Sequence, residues 1–325
     1  SIDGAYRSHG DRFVYDWRRP ELSDNQHRTH AVSGNARWRT ALGAATQLSL
    51  GASAGRDAVD STSLGEHTFS RAGGVVELRQ AIGSRLVIQP GVRVDHYNVF
   101  GTALSPAIAA SGWILPNLRW RTATGRSFRV PTYTELYYRD PNHLASDDLV
   151  PERAWSTDVG VDAYARGWTA SATAFGRWDE DVIDWVRAVP TERWHTTNIR
   201  DVDTRGVELG VTRRLGAALW AVRYTGLHAD APTLALLSKY VLDYAPHALS
   251  LSGATTWRRL DLGSHVTYAR RADGREYWVA DLRVAHPVGR AEVYADVANA
   301  FDQAYQEVKG VDMPGRWVKV GLRLR

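Results

Sequence analysis

Along its whole length the chain alternates apolar and polar residues in segments of about ten, joined in turn by short and long connections. Period-two alternation marks a β-strand with one face in an apolar medium, because successive side chains point to opposite sides of the pleat. Leu86, Ile88, Val92 and Val94 share one face, and Arg85, Gln89, Arg93 and Asp95 the other. Trp155, Val159, Val161 and Ala163 oppose Asp158 and Asp162, while Trp278, Ala280, Leu282 and Val284 oppose Asp281 and Arg283. Trp220, Val222 and Tyr224 likewise lie opposite Arg223. Strands are expected at 12–18, 29–40, 42–51, 68–79, 86–97, 106–113, 117–128 and 154–165. Eight more follow at 168–182, 197–213, 217–228, 247–257, 260–270, 277–286, 291–299 and 316–325, roughly sixteen in all. Short turns at 81–84, 114–116, 166–167, 215–216, 258–259 and 287–289 alternate with longer stretches at 52–67, 98–105, 127–152, 184–196, 229–244 and 300–315. Short turns on one rim and long loops on the other are the pattern of an outer-membrane barrel, with turns periplasmic and loops extracellular.

Composition narrows the class further. A mean hydropathy of −0.35 beside 13 Trp and 14 Tyr is an odd pairing for a soluble domain. It suits a barrel with a polar lumen, lipid on alternate residues and aromatic girdles at both interfaces. No run of 18 apolar residues occurs, so no transmembrane helix is expected. A soluble β-sandwich is the alternative for one-sided strands, but no amphipathic helix is available to cover their apolar faces. With no composition shift or linker, residues 1–325 are expected to form a single barrel domain. Absence of cysteine excludes disulfides, thiolate zinc sites and cysteine nucleophiles. The arginines are spread singly and the net charge is only +4, which argues against nucleic acid. No basic-then-apolar leader opens the chain at Ser1.

The stretch 127–152, SFRVPTYTELYYRDPNHLASDDLVPE, is too long and proline-punctuated for an ordinary connection. Tyr133, Tyr137, Tyr138, Arg139 and Asn142, with Trp185 and Trp194 from the next loop, are the candidates for stacking on and holding a ligand. For the tryptophans, an interface girdle is the competing role. Inward charges expected to line the lumen are Arg119, Arg121, Asp158, Asp162, Glu208, Arg223, Asp281, Arg283 and Asp296. No metal site is expected: the histidines sit at loops or strand ends without ligand spacing, and the acidic group Asp140, Asn142, Asp147 and Asp148 does not match a calcium loop. No Gly-x-Ser-x-Gly elbow occurs, and Ser264 and His265 point to opposite faces, so no enzyme is expected.

Several stretches carry a family resemblance. Phe128-Arg129-Val130-Pro131-Thr132, then Glu135-Leu136-Tyr137, Asn142, Leu144, Leu149, Pro151 and Glu152, resembles a signature of TonB-dependent outer-membrane transporters. Thr204-Arg205-Gly206-Val207-Glu208-Leu209, Tyr244-Ala245-Pro246-His247 with Leu249-Ser250-Leu251, and Asn299-Ala300-Phe301-Asp302 with Tyr305 are similar to later parts of it. So are Met313-Pro314-Gly315-Arg316 and Gly321-Leu322-Arg323. The resemblance implies an outer-membrane location, a monomeric barrel, no cofactor, and import of a scarce small molecule such as a ferric siderophore or cobalamin. It also implies an inner-membrane TonB complex as partner, reached through a plug. Barrels of this type have 22 strands and a plugged lumen. Sixteen strands, with no plug or TonB box before Arg12, fit the carboxyl-terminal portion of one, entering at about its seventh strand. A plugless, porin-like passive pore is the alternative. Val318, Val320, Leu322 and Leu324 are expected to face lipid, so an outward terminal aromatic would fall just after Arg325.

Overall fold

The computed structural model describes residues 1–22, 24–199, 201–230, 236–240 and 243–324. Strands β1 (Ile2–Val14), β2 (Asp24–Ala41), β3 (Thr46–Ser61), β4 (Gly65–Ile82), β5 (Leu86–Tyr97), β6 (Gly101–Leu115) and β7 (Leu118–Arg129) form an antiparallel meander. Helix α1 (Tyr133–Tyr137) and the short strands β8 (Arg139–Asp140) and β9 (His143–Leu144) interrupt it before β10 (Glu152–Ala165) and β11 (Trp168–Glu180). A hairpin of β12 (Val182–Arg187) and β13 (Trp194–Ile199) precedes β14 (Val202–Leu215), β15 (Ala218–Asp230) and the two-residue β16 (Leu237–Ser238). The chain closes with β17 (His247–Trp257), β18 (Leu260–Arg270), β19 (Glu276–Val288), β20 (Ala291–Ala298) and β21 (Trp317–Leu324). Sixteen strands make one continuous sheet from β1 to β21, each hydrogen-bonded to its predecessor in that sheet. The other five form a second sheet in the order β16-β12-β13-β9-β8. Among the described residues β1 and β21 are not paired with each other, so the large sheet is open at both edges.

The sixteen expected strands are present, and the differences have local causes. The first runs over Ile2–Val14, because the Asp16 side chain accepts the Arg18 amide at 3.0 Å and its carbonyl accepts that of Arg19 at 2.9 Å, turning the chain where 12–18 was expected to stay extended. The glycine- and serine-rich stretch 52–67 is a hairpin with a turn at 62–64. Its small residues make room for long neighbours: a Cβ on Gly55 would sit 3.2 Å from the Arg71 guanidinium. Residues 98–105 shrink to a turn as well, with the Asn98 side chain accepting the Ser70 amide at 2.8 Å and Gly101 at φ +72°. The stretch 184–196 contains β12 and β13, not an irregular loop. Of the expected 229–244 loop, residues 231–235 and 241–242 lie outside the described residues, as does Arg325, on which the terminal-aromatic expectation turns.

One face of the large sheet is apolar and exposed, the surface a lipid bilayer covers: Val207, Leu209, Val211, Trp220, Val222, Leu282 and Val284 all stand open on it. Trp168 and Trp178, both exposed, bound this band on β11. Ten residues of strand span about 33 Å, which a tilt near 45° reduces to roughly the 25 Å of an outer-membrane apolar band.

The opposite face carries paired charge. Arg121 reaches from β7 across Gly160 of β10 to the Thr173 hydroxyl on β11 at 2.7 Å, flanked by Asp162 at 3.4 Å and Asp158 at 3.7 Å. Arg93 makes the same crossing over Gly73 to Ser53 at 3.0 Å, held by Asp95. A Cβ on Gly160 would lie 3.0 Å from the Arg121 guanidinium, and one on Gly73 2.8 Å from that of Arg93. The middle strand must therefore lack a side chain for each arginine to lie flat. Arg119 donates to Ser111 at 2.9 Å, Asp281 accepts the Asn299 amide at 2.9 Å, and Arg283 pairs with Asp296 at 2.8 Å. Glu208 and Arg223 stand exposed on this polar face, opposite Val207 and Val222.

Candidate functional site at the loop sheet

Residues 130–151 leave the barrel wall through a charged gate. Arg129 and Glu152 are register partners at the ends of β7 and β10, and the guanidinium donates to Glu152 at 2.6 and 2.7 Å. It also donates to Glu135 of α1 at 2.8 and 3.1 Å. Buried Pro131 fixes the entry and Thr132 caps the helix. The Thr132 hydroxyl accepts the Glu135 amide at 3.2 Å, and the Glu135 carboxylate accepts the Thr132 amide at 2.8 Å. This reciprocal pair satisfies two amides that a helix start leaves unbonded. Burial raises the Glu135 pKa, but hydrogen bonds from Arg129 and Thr132 outweigh it and hold the carboxyl below its usual range.

From this gate the loop turns onto the polar face of β3 and β4. The Tyr133 hydroxyl donates to the Asp57 carbonyl at 2.7 Å and accepts the Phe69 amide at 3.0 Å, while its ring stacks on Phe69 at 4.3 Å. Tyr137 lies parallel to His67 at 3.5 Å. Leu136, Leu149, Ile183 and Phe69 are buried together beneath them, with Phe100 alongside. Fully burying side chains of this size contributes about 1.5–3 kcal/mol each, enough to hold the loop down.

Next, the loop builds the second sheet with its neighbours. β9 pairs in parallel with β13, where the Trp194 amide donates to the Asn142 carbonyl at 2.8 Å. Thr196, buried in β13, accepts the Ser146 amide at 2.7 Å and donates to the Glu135 carbonyl at 2.8 Å. Asn198 donates to Val150 at 3.0 Å and to Asp181 at 2.6 Å. Asp184 is buried, accepts the Trp185 and Tyr240 amides at 2.8 and 3.3 Å and the Ser238 hydroxyl, and so fixes β16 to β12. Three loops distant in sequence thereby become one hydrogen-bonded layer over part of the mouth.

Cations and aromatic rings converge on this layer. Lys239 Nζ donates to His143 Nε2 at 3.0 Å, which obliges His143 to carry its proton on Nδ1 and donate it to Asp140, 3.0 Å away. Asp140 is also held by the Asn142 amide at 2.7 Å and the Tyr138 hydroxyl at 3.1 Å. Burial pushes its pKa up, yet these bonds, led by His143, leave it depressed. Arg187 lies 4.2 Å over the Trp194 ring, with Lys239 at 5.7 Å from the same ring. A cleft of about 330 Å³ opens between Asn142, His143, Arg187, Trp194 and Lys239.

The residues singled out from sequence separate into two groups. Tyr133 and Tyr137 are occupied as anchors on the wall, and buried Trp185 packs edge-on against His143 at 5.1 Å. Asn142 and Trp194 line the cleft, Tyr138 donates its hydroxyl to Asp140, and Arg139 is exposed on β8. His143, Arg187 and Lys239 escaped sequence reasoning. Lys239 is one of only three lysines in a chain with 40 basic residues, a rarity that could have drawn attention to it. Among the described residues no group of three His, Asp or Glu side chains is placed to hold a metal ion.

The family model for the TonB dependent receptor-like β-barrel matches residues 3–302. The chain belongs to that family. Its strands are accordingly those of an outer-membrane barrel, in a family of transporters and receptors. Among curated relatives of this TonB-dependent barrel, the vitamin B12 transporter BtuB of Vibrio vulnificus is 27% identical over 125 residues, covering 37% of this chain and 19% of that protein. The ferrienterobactin receptor of Escherichia coli is 24% identical over 146 residues, 38% of this chain and 19% of that protein. Solved structures share the fold: the FrpB iron transporter of Neisseria meningitidis superposes with a TM-score of 0.79 at 15% identity, covering 99% of this chain and 60% of that one. The ferric enterobactin receptor PfeA of Pseudomonas aeruginosa gives 0.75 at 15% identity, with 99% and 58% covered. The TonB-dependent barrel segment described here thus spans about 60% of the solved chains it resembles.

Proposed function

We propose that this chain is the carboxyl-terminal portion of a TonB-dependent receptor that imports a scarce small molecule, a ferric siderophore or cobalamin. The observation that carries this is the loop sheet. It is a hydrogen-bonded extracellular layer whose cleft combines Arg187, Lys239 and Trp194, suited to a planar or anionic ligand held by stacking and charge. The names of the relatives, a B12 transporter and ferric siderophore receptors, support the same substrate classes. Residues 1–325 form part of the barrel domain. The open edges at β1 and β21 are filled by further strands, and a plug within the lumen links the ligand to the inner-membrane TonB complex. Arg119, Arg121, Asp158, Asp162, Glu208, Arg223, Asp281, Arg283 and Asp296 line that lumen, the barrel acts as a monomer, and the ligand leaves chemically unchanged.

The test is binding by the intact protein in detergent of a panel of ferric siderophores and cobalamin, with Arg187→Gln/Lys239→Met beside it. Submicromolar binding of one member, weakened at least tenfold by the double substitution, is the expected result. A persistent ohmic conductance in planar bilayers without saturable binding would instead make the protein a passive pore.

A further inference from the structure

The two rims of the barrel differ in charge. Its short turns contain Arg85, Arg166, Arg258, Arg259 and Arg290, and no carboxylate. All five are exposed, and among the described residues no acidic side chain pairs with any of their guanidiniums. Nearby carboxylates are engaged elsewhere on the polar face: Asp162 with Arg121, Asp261 with the Thr256 hydroxyl, and Glu292 with Arg283 and Arg323. The loop rim, by contrast, interleaves Asp140, Asp147, Asp148, Asp184 and Glu192 with its cations.

The placement of these arginines is specific. Arg258 and Arg259 form the whole two-residue turn between β17 and β18 with φ of +49° and +72°, and Arg166 has φ +31°. Asn and Gly occupy such left-handed turn positions with less strain. Arginine there gives up backbone comfort to project a guanidinium beyond the sheet. On the lipid side, Arg213 lies 4.6 Å over the exposed Trp168 ring, held by a 2.7 Å hydrogen bond to the Arg166 carbonyl, and Arg258 lies 5.0 Å over exposed Trp257. Exposed tryptophan on an apolar strand face marks the depth of the membrane interface. The guanidiniums therefore stand at headgroup level, where they present paired N–H donors to phosphate oxygens.

We infer that the short-turn rim is a collar for anionic phospholipid, binding phosphodiester headgroups of the leaflet it faces. Arg258, Arg259 and Arg213 carry most of the contact. This surface rests on the membrane-spanning fold and not on the transport reading, so the two fail separately.

The test uses the intact protein in neutral detergent doped with phosphatidylglycerol, phosphatidylcholine or sodium phosphate at equal phosphorus, with retained lipid counted by native mass spectrometry. Phosphatidylglycerol should be retained over phosphatidylcholine at least tenfold. That ratio should fall with each arginine removed, reaching unity in Arg213→Gln/Arg258→Gln/Arg259→Gln. Equal retention of the two lipids, or an unchanged ratio in the variant, overturns the inference. Displacement of phosphatidylglycerol by equimolar phosphate overturns it too, by reducing the collar to a free-anion site. Should the variant fail to fold, 0.5 M NaCl on the unaltered protein decides: screening must collapse the ratio, and a salt-insensitive preference sinks the collar.

Discussion

Arg129 and Glu152, 23 positions apart, meet as register partners with two hydrogen bonds of 2.6 and 2.7 Å, and this one contact closes the base of the loop that roofs the mouth. Because the same guanidinium holds Glu135, losing it takes the cation from two carboxylates at once. Arg129→Gln should weaken loop docking by roughly 1–3 kcal/mol, toward the lower end because the arginine is partly solvated. Faster hydrogen exchange over 130–151, with the strands unchanged, is the expected readout. Equal exchange in both proteins would show that the apolar anchors suffice.

The depressed Glu135 pKa sets the sign of a pH response. A carboxylate whose folded pKa lies below its unfolded one contributes stability above the unfolded pKa and loses it as pH falls through the folded value. Docking of α1 should therefore stay constant from neutrality to about pH 5 and weaken only below about 4. Exchange of the α1 amides against pH measures this, and Glu135→Gln should flatten the acid limb. Release already at pH 6 would contradict it.

Tyr133→Phe keeps the stack on Phe69 but removes the hydroxyl that bridges the Asp57 carbonyl and the Phe69 amide. A cost of roughly 1–2 kcal/mol is expected. Leu136→Ala, at a position only 2% exposed, should cost more, roughly 2–4 kcal/mol. Protease nicking within 130–151 should rise in that order.

Gly160→Val would place branched carbon where the Arg121 guanidinium crosses to Thr173. The arginine must swing off the wall, leaving Asp158 and Asp162 facing each other without their cation. A lower thermal midpoint for the barrel is expected, by about 2–4 °C per kcal/mol lost in a protein of this size. Gly263→Val is the control, because a Cβ there meets nothing closer than 3.6 Å. Equal shifts in the two variants would remove the special role of Gly160.

The barrel was legible because lipid enforces strict alternation, and β5, β17 and β18 stand where the pattern put them. Residues 52–67 misled because glycine, serine and aspartate usually signal a loop, whereas here small residues serve the arginines lying across them. The β12–β13 hairpin was hidden for a different reason: its strands pair with segments about 50 residues away, and no local period announces a partner. The candidate site was half legible. Its tyrosines and tryptophans could be named, but nothing in sequence separated the anchors Tyr133 and Tyr137 from Trp194, or brought Lys239 to His143 across 96 residues.

The turns joining β3 to β4 and β5 to β6 are three residues each, beside a neighbour that rises into a folded layer. The mouth is consequently lopsided, a low sill next to a high hood. A visitor descending from outside meets the hood's inner surface before it meets the shaft. Further length in the hood leaves the register of the wall strands untouched, so the shape of the mouth has free ground for remodelling there.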